Sequence, residues 1–401
     1  MPKAWKERFM KRFLLLALIF LTACSSAQAT PESYFASNPA PAILTMPAAL
    51  PLVTESGVSS SEDAGELYFF LQPRQSAGQS IQLAKVSGVC VFDSANCPPL
   101  QVVEVPFAFK FMINALNWSP DGKSAAFAYS DNPNGTPTKL WRYDAAANTW
   151  TALAEFPYID PPFWSPDGAW IGFRMQDGAG GEGIYVTRAD GSDLRNISAG
   201  LPASGKPYIM DGWFADHVLV HSALPGNEGV MILLRASDGA AQNLFATPPA
   251  KTQFHAAPDA SLLAYDDLDA ASQSHVVKVV QPDGANAITL ANFAGGRVFP
   301  IVWSPDSQRI AFTYSGFVDG NPTADVFVAS RSGGQVLPVY KGRTVGRLLF
   351  SPNAKYLLVE ETTSATGGHL YLVNLATLET AILQAPGLST DFDWYAPSWR
   401  P

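Results

Sequence analysis

The chain has 401 residues, 47% of them hydrophobic, 12% aromatic and 15% charged, with a formal net charge of −9. That is enough apolar material for a large core, and it excludes extensive disorder outside local segments. An acidic surface repels phosphate backbones and anionic lipid head groups, which makes nucleic acid a poor partner.

The first twelve residues, "MPKAWKERFMKR", hold five Lys or Arg against one Glu; the apolar run Phe13–Leu21 and "LTAC" at Leu21–Cys24 follow. A basic start, a short apolar run and small residues before a boundary describe a secretory signal over residues 1–23, too short to span a bilayer comfortably. "LTAC" resembles the lipobox of bacterial lipoproteins: Leu, a small or β-branched residue, Ala or Gly, then Cys. The resemblance implies that Cys24 is acylated, becomes the first residue of the mature chain and tethers it to a membrane outside the cytoplasm. Loss of residues 1–23 would take the net charge from −9 to −13. With Cys24 given to lipid, Cys90 and Cys97 remain, and in an oxidising compartment a disulfide between them is expected. A metal site is the poorer reading, because no His or further Cys lies near them. Residues 24–65 are rich in Ala, Ser and Pro without a period of 2 or 3.6, which predicts a flexible tether. A folded domain is expected over 66–401.

Within that domain one turn recurs. "WSPDG" stands at Trp118–Gly122 and Trp164–Gly168, with variants at Trp303–Ser307, Phe350–Ala354 and Ala256–Ala260. The Pro of each turn, or its equivalent, falls at Pro120, Pro166, Ala215, Pro258, Pro305, Pro352 and Pro397, at intervals of 43 to 49 residues. So regular an interval marks a repeat architecture. After each turn comes an alternating apolar run such as "QRIAFTYS", a loop, and a second run such as "DVFVASR". Most second runs end in Asp-Gly or Gly-Gly, which supply the positive φ of tight hairpins. With a weaker fourth strand, each repeat makes one propeller blade. In the turn itself Pro pre-sets φ, Asp accepts local backbone bonds, Ser braces and Gly closes. The Trp is expected to pack between blades.

These repeats resemble the TolB-like propeller family, whose signature is the Trp-Ser-Pro-Asp-Gly turn, an apolar strand and an Asp-Gly hairpin. The resemblance covers residues 113–384 through six repeats, with "GWFAD" and "AAPDA" degenerate, and implies an all-β propeller. Before the repeats, Glu66–Val105 offers three strands; after them, Asp391–Trp399 offers one. Pairing the two ends predicts seven four-stranded blades, with six as the alternative.

The histidines give no converging metal site. His217 and His221 lie in the strand-like "HVLVH", where four residues span about 13 Å, too far for one ion. His275 and His369 begin strands, and only His255 falls on an innermost strand. "YDDLD" at Tyr265–Asp269 clusters three carboxylates, but it lacks the Gly and final Glu of an EF-hand, which favours a solvated acidic hairpin over calcium. Neither a Gly-x-Ser-x-Gly elbow nor a P-loop occurs. No catalytic residue and no cofactor is therefore assigned. Reading back from each turn along the innermost strands gives Asn114, Asn117, Asp160, Asp211, His255, Arg347, Asp391 and Asp393. This acid-rich set is expected to ring one channel mouth, either as a solvated lining or as a binding surface. The expectation is a monomeric, lipid-anchored, non-catalytic module that binds a protein or small ligand at a propeller face. The alternative is a propeller enzyme such as a metal-dependent polysaccharide lyase.

Overall fold

The computed structural model describes residues 65–73, 81–88, 98–107, 114–130, 132, 136–176, 181–201, 208–222, 231–244, 253–269, 274–318, 321–361, 369–383 and 392–401. All of them fall within one compact unit, residues 57–401. Cys24, Cys90, Cys97 and Asp391 lie outside the described residues, as do the signal and almost all of the tether.

Seven antiparallel sheets form the seven blades of a propeller. Blade 2 runs outward from Asn117–Trp118 through Ser124–Tyr129 and Thr138–Asp144 to Thr149–Phe156. Blades 3 to 7 repeat this order, with innermost strands Tyr158–Ile159 plus Phe163–Trp164, Tyr208–Phe214, Phe254–Ala256, Arg297–Trp303 and Val345–Phe350. Blade 1 is composite. Its innermost strand is the last of the chain, Phe392–Arg400, paired antiparallel with Glu66–Pro73. Each innermost strand contacts the next, and the last contacts the first, so the ring is closed.

The core is distributed. One apolar cluster fills each of the seven blade boundaries, from Leu67, Phe69 and Leu358 between blades 7 and 1 to Ile171, Phe173 and Ala126 between blades 2 and 3. Alternation in the second strands produces this, because successive side chains of one strand face opposite neighbouring blades.

The turn chemistry is the predicted one. Ser165, 1% exposed, donates through Oγ to Asp167 Oδ1 (2.6 Å) and accepts the Trp170 N–H (2.9 Å). Asp167 also accepts the Ala169 N–H, and Gly168 closes the turn at φ +69°. The pattern recurs at Ser119, Ser304 and Ser351, with Asn353 standing in for Asp in the last. The tryptophans do pack between blades, and they also link them. The indole N–H of Trp164, Trp213 and Trp303 donates to the backbone oxygen of Asn117, Phe163 and His255 of the preceding blade.

Register corrects one assignment. Trp118, Trp164, Trp213, Ala256, Trp303 and Phe350 pair with Ala125, Ile171, Val218, Leu263, Ile310 and Leu357 on their second strands. In blade 1 the residue paired at this rank, opposite the equally buried Leu67, is Trp399. The seventh repeat is therefore centred on Trp399–Arg400–Pro401, and Pro397 lies within the strand. Trp118 confirms the alignment by donating to Ser398 Oγ, directly before Trp399, as the other tryptophans donate to the residue before theirs.

Candidate channel-mouth site

The innermost strands are irregular. Blades 1, 4, 6 and 7 carry register shifts, and the inner strand of blade 3 is interrupted between Ile159 and Phe163. Extra residues of this kind re-aim side chains and strengthen local twist. They also spread the expected ring into a staircase. Asn117 and His255 stand one residue from the Trp rank, at the turn end of the channel. Asp211 stands two away, Arg347 three, and Asn114 and Asp160 four. With Trp399 at the rank, Asp393 moves six residues away, where it pairs with Gln72. Six residues of strand span about 20 Å, so these residues do not form one ring.

The structure instead reveals a second polar set. Three residues beyond the buried rank on each second strand lie Phe70, Ala128, Arg174, His221, Asp266, Thr313 and Glu360. Blades 1 and 2 are apolar there; blades 3 to 7 are polar. Arg174 bridges Asp160 (2.7 Å) and Glu182 (2.9 Å). His221 Nδ1 meets Asp211 Oδ2 at 2.7 Å, with the Asp211 side chain only 2% exposed. The Gln253 side chain of blade 5 also favours the charged form of Asp211. Glu360, 5% exposed, faces Arg347 Nε at 3.6 Å and accepts the Ala396 N–H of blade 1 at 3.2 Å. These residues eluded the strand-by-strand reading, yet aligning the repeats on their Trp would have put them in one column.

Burial governs the electrostatics. It pushes the Asp211 and Glu360 carboxyls above their usual range, against the pull of His221 and Arg347 respectively. It pushes the His255 imidazole down to about 4, so His255 is neutral at pH 7. Of the "YDDLD" carboxylates, Asp266 holds His275 Nδ1 at 2.6 Å and Asp267 holds Lys278 at 2.5 Å. His217 and His221, at opposite ends of His217–Ser222, are tied to different aspartates, Asp216 and Asp211. Among the described residues no three His, Cys, Asp or Glu converge in a metal-binding group.

No protein-family model and no curated protein matches the sequence. Solved structures match over most of the chain. TolB from Acinetobacter baumannii is 15% identical with a TM-score of 0.51, covering 84% of this chain and 67% of its own. The β-propeller domain of the trilobed protease from Pyrococcus furiosus is 14% identical with a TM-score of 0.56, covering 80% and 95%. An oligogalacturonate lyase, solved with manganese, is 12% identical with a TM-score of 0.54, covering 82% and 87%. At such identities the likeness is one of fold: this chain is a seven-bladed propeller of the architecture that TolB shares with enzymes and domains of enzymes.

Proposed function

We propose that the protein is a non-catalytic binding module of the bacterial envelope, held outside the cytoplasmic membrane by lipid on Cys24 and engaging a protein partner at the channel mouth opposite the recurring turns. One observation carries this reading. The ionisable side chains on and behind the inner strands are tied in pairs, His221 to Asp211, Arg174 to Asp160 and Glu182, Arg347 to Glu360. Paired groups make a rigid polar recognition surface, whereas nucleophilic or metal chemistry needs groups that converge on one point. The TolB-like fold and the lipobox support the location, and in such an oxidising compartment we expect Cys90 and Cys97 to be joined.

The test places a photo-crosslinking amino acid at Tyr158, 46% exposed at the mouth, or at Leu194, 42% exposed on the turn face. A discrete protein adduct is expected in cells from position 158 only. Equal adducts from both positions, no adduct at all, or cleavage of oligogalacturonate by the purified chain would overturn the reading.

A further inference from the structure

Five buried side-chain atoms have no hydrogen-bond partner among the described residues: Arg142 Nε, Arg174 Nε, Asp211 Oδ1, Asp266 Oδ1 and Thr313 Oγ1. All but the first lie at one level of the ring. Arg174, Asp266 and Thr313 occupy the polar column of the second strands. Asp211 is bonded through its other oxygen to His221 of the same column. The Asp211 side chain is 2% exposed and Thr313 is 0% exposed, so bulk solvent does not reach them. A buried polar group left unsatisfied is costly, and folded proteins pair almost all of theirs.

The inner ladder breaks at that same level. Arg174 lies across from the interruption in blade 3, because Met175 pairs with Ile159 and Gly172 with Phe163. Asp211 is the extra residue between Met210, which pairs with Val220, and Gly212, which pairs with Leu219. Asp266 comes directly after Tyr265, where pairing with the inner strand of blade 5 ends at Phe254. Thr313 lies between Phe312, paired with Ile301, and Tyr314, paired with Val298. It therefore faces Phe299 and Pro300, and a proline has no N–H to offer. A ladder disrupted in this way leaves main-chain groups without their strand partners. Each orphaned side chain thus stands beside backbone that needs partners as well, and a buried water requires about two to four polar neighbours of this kind.

We infer that this level of the ring is a set of internal water sites, in which water bonds Arg174 Nε, Asp211 Oδ1, Asp266 Oδ1 and Thr313 Oγ1 together with the main chain at the breaks. The mixture of donors and acceptors selects the ligand. Arg174 Nε–H can only donate, which a cation cannot use, and an ionised Asp211 or Asp266 can only accept, which an anion cannot use. Water does both, and a threonine hydroxyl bonds it in either sense. The sites stop where the column turns apolar. Phe70 and Ala128 of blades 1 and 2 give a water nothing to bond, so the hydrated arc runs over blades 3 to 6. Over that arc the charged pairs of the inner and second strands rest on bound water, whereas blades 1 and 2 meet through side chains alone.

The test is oxygen-17 relaxation dispersion of the solvent, which counts waters held inside a protein, on the full chain in detergent. Thr313→Val keeps the shape of the side chain and removes its hydroxyl; Thr313→Ser keeps the hydroxyl. The dispersion is expected to fall by about one water in the valine variant and to match the parent in the serine variant. The melting temperature of Thr313→Val should fall by about 1–3 °C, since a satisfied hydrogen bond is lost. A dry, unpaired hydroxyl gives the opposite sign, because its removal stabilises. A melting temperature that rises in Thr313→Val, or a dispersion equal to the parent's, would overturn the assignment. Should Thr313→Val fail to fold, a high-resolution crystal structure of the parent chain decides. Solvent density within hydrogen-bonding distance of all four atoms is expected, and its lack at Asp211 or Thr313, the two most buried, would sink the assignment.

Discussion

Trp399→Ala tests whether the ring is closed by its own last strand. Trp399 is 8% exposed and packs with Leu67, Phe69, Leu358 and Leu372 at the boundary of blades 7 and 1. Truncating a buried Trp costs about 3–5 kcal/mol. For a domain of this size each kcal/mol lowers the melting temperature by roughly 2 °C, so a drop of roughly 5–10 °C is expected. Removing Phe392–Pro401 altogether should do more. The fully buried Leu67, Tyr68, Phe69 and Phe70 would face an open edge. Glu66 would lose Arg400, and the buried Glu360 would lose the Ala396 N–H. Each lost hydrogen bond to a carboxylate costs about 1.5–3 kcal/mol, and the total approaches the whole stability of an ordinary domain, about 5–15 kcal/mol. The truncated chain is therefore expected to unfold or to associate through its open edge. Thermal unfolding with Phe317→Ala as the exposed control decides the matter. If Trp399→Ala melts with that control, or the truncated chain stays monomeric at the parent's melting temperature, the closure argument is wrong.

Other consequences can be measured. Trp164→Phe keeps an aromatic ring but removes the N–H that meets Asn117 O at 2.9 Å; it should cost about 0.5–1.5 kcal/mol in denaturant titration. His255 is held neutral with its pKa near 4, whereas in the unfolded chain it protonates near 6.5. The unfolded state thus takes up the proton first, and stability should fall as pH drops from about 6.5 towards 4, by at most about 1.4 kcal/mol per unit. His255→Gln should flatten that window and leave the loss below pH 4 in place. Cys24→Ser should accumulate unprocessed precursor and abolish fatty-acid labelling. Alkylation of the unreduced, denatured chain should find neither Cys90 nor Cys97 free.

The blades were legible because the turn is local chemistry. Ser, Asp and Gly close it through bonds within six residues, so the motif appears wherever the fold needs it. The last repeat was misplaced because Tyr395-Ala396-Pro397 and Trp399-Arg400-Pro401 both place an aromatic two residues before Pro. Spacing could not separate them. The pairing of Leu67 with Trp399 does, and that contact joins residues 332 positions apart. The mouth was less legible for a related reason. Counting back from the turn assumes uninterrupted strands, and inner strands that line a channel lack the apolar alternation that would betray an extra residue. Asp211, between Met210 and Gly212 at such a shift, is displaced in this way towards His221.

Division of labour between the two ends of the ring follows from these contacts. At the turn end, Asp121, Asp167, Asp259 and Asp306 brace their own turns, and arginines clasp neighbouring blades: Arg142 to Ala189, Arg331 to Asp259, Arg400 to Gly122. A side chain changed there loses a structural bond, so that end has little freedom to acquire a ligand. The opposite end is joined by connections whose sequences share no common motif, and it carries Arg297, Phe299, Phe317 and Tyr158 exposed. Recognition can vary there without opening a blade boundary. The boundary between blades 4 and 5 shows the trade in one place. Ala256 occupies the Trp rank, no indole links the blades, and the polar set Asp211, His221 and Gln253 joins them instead. A polar joint of that kind holds only while its charges stay matched.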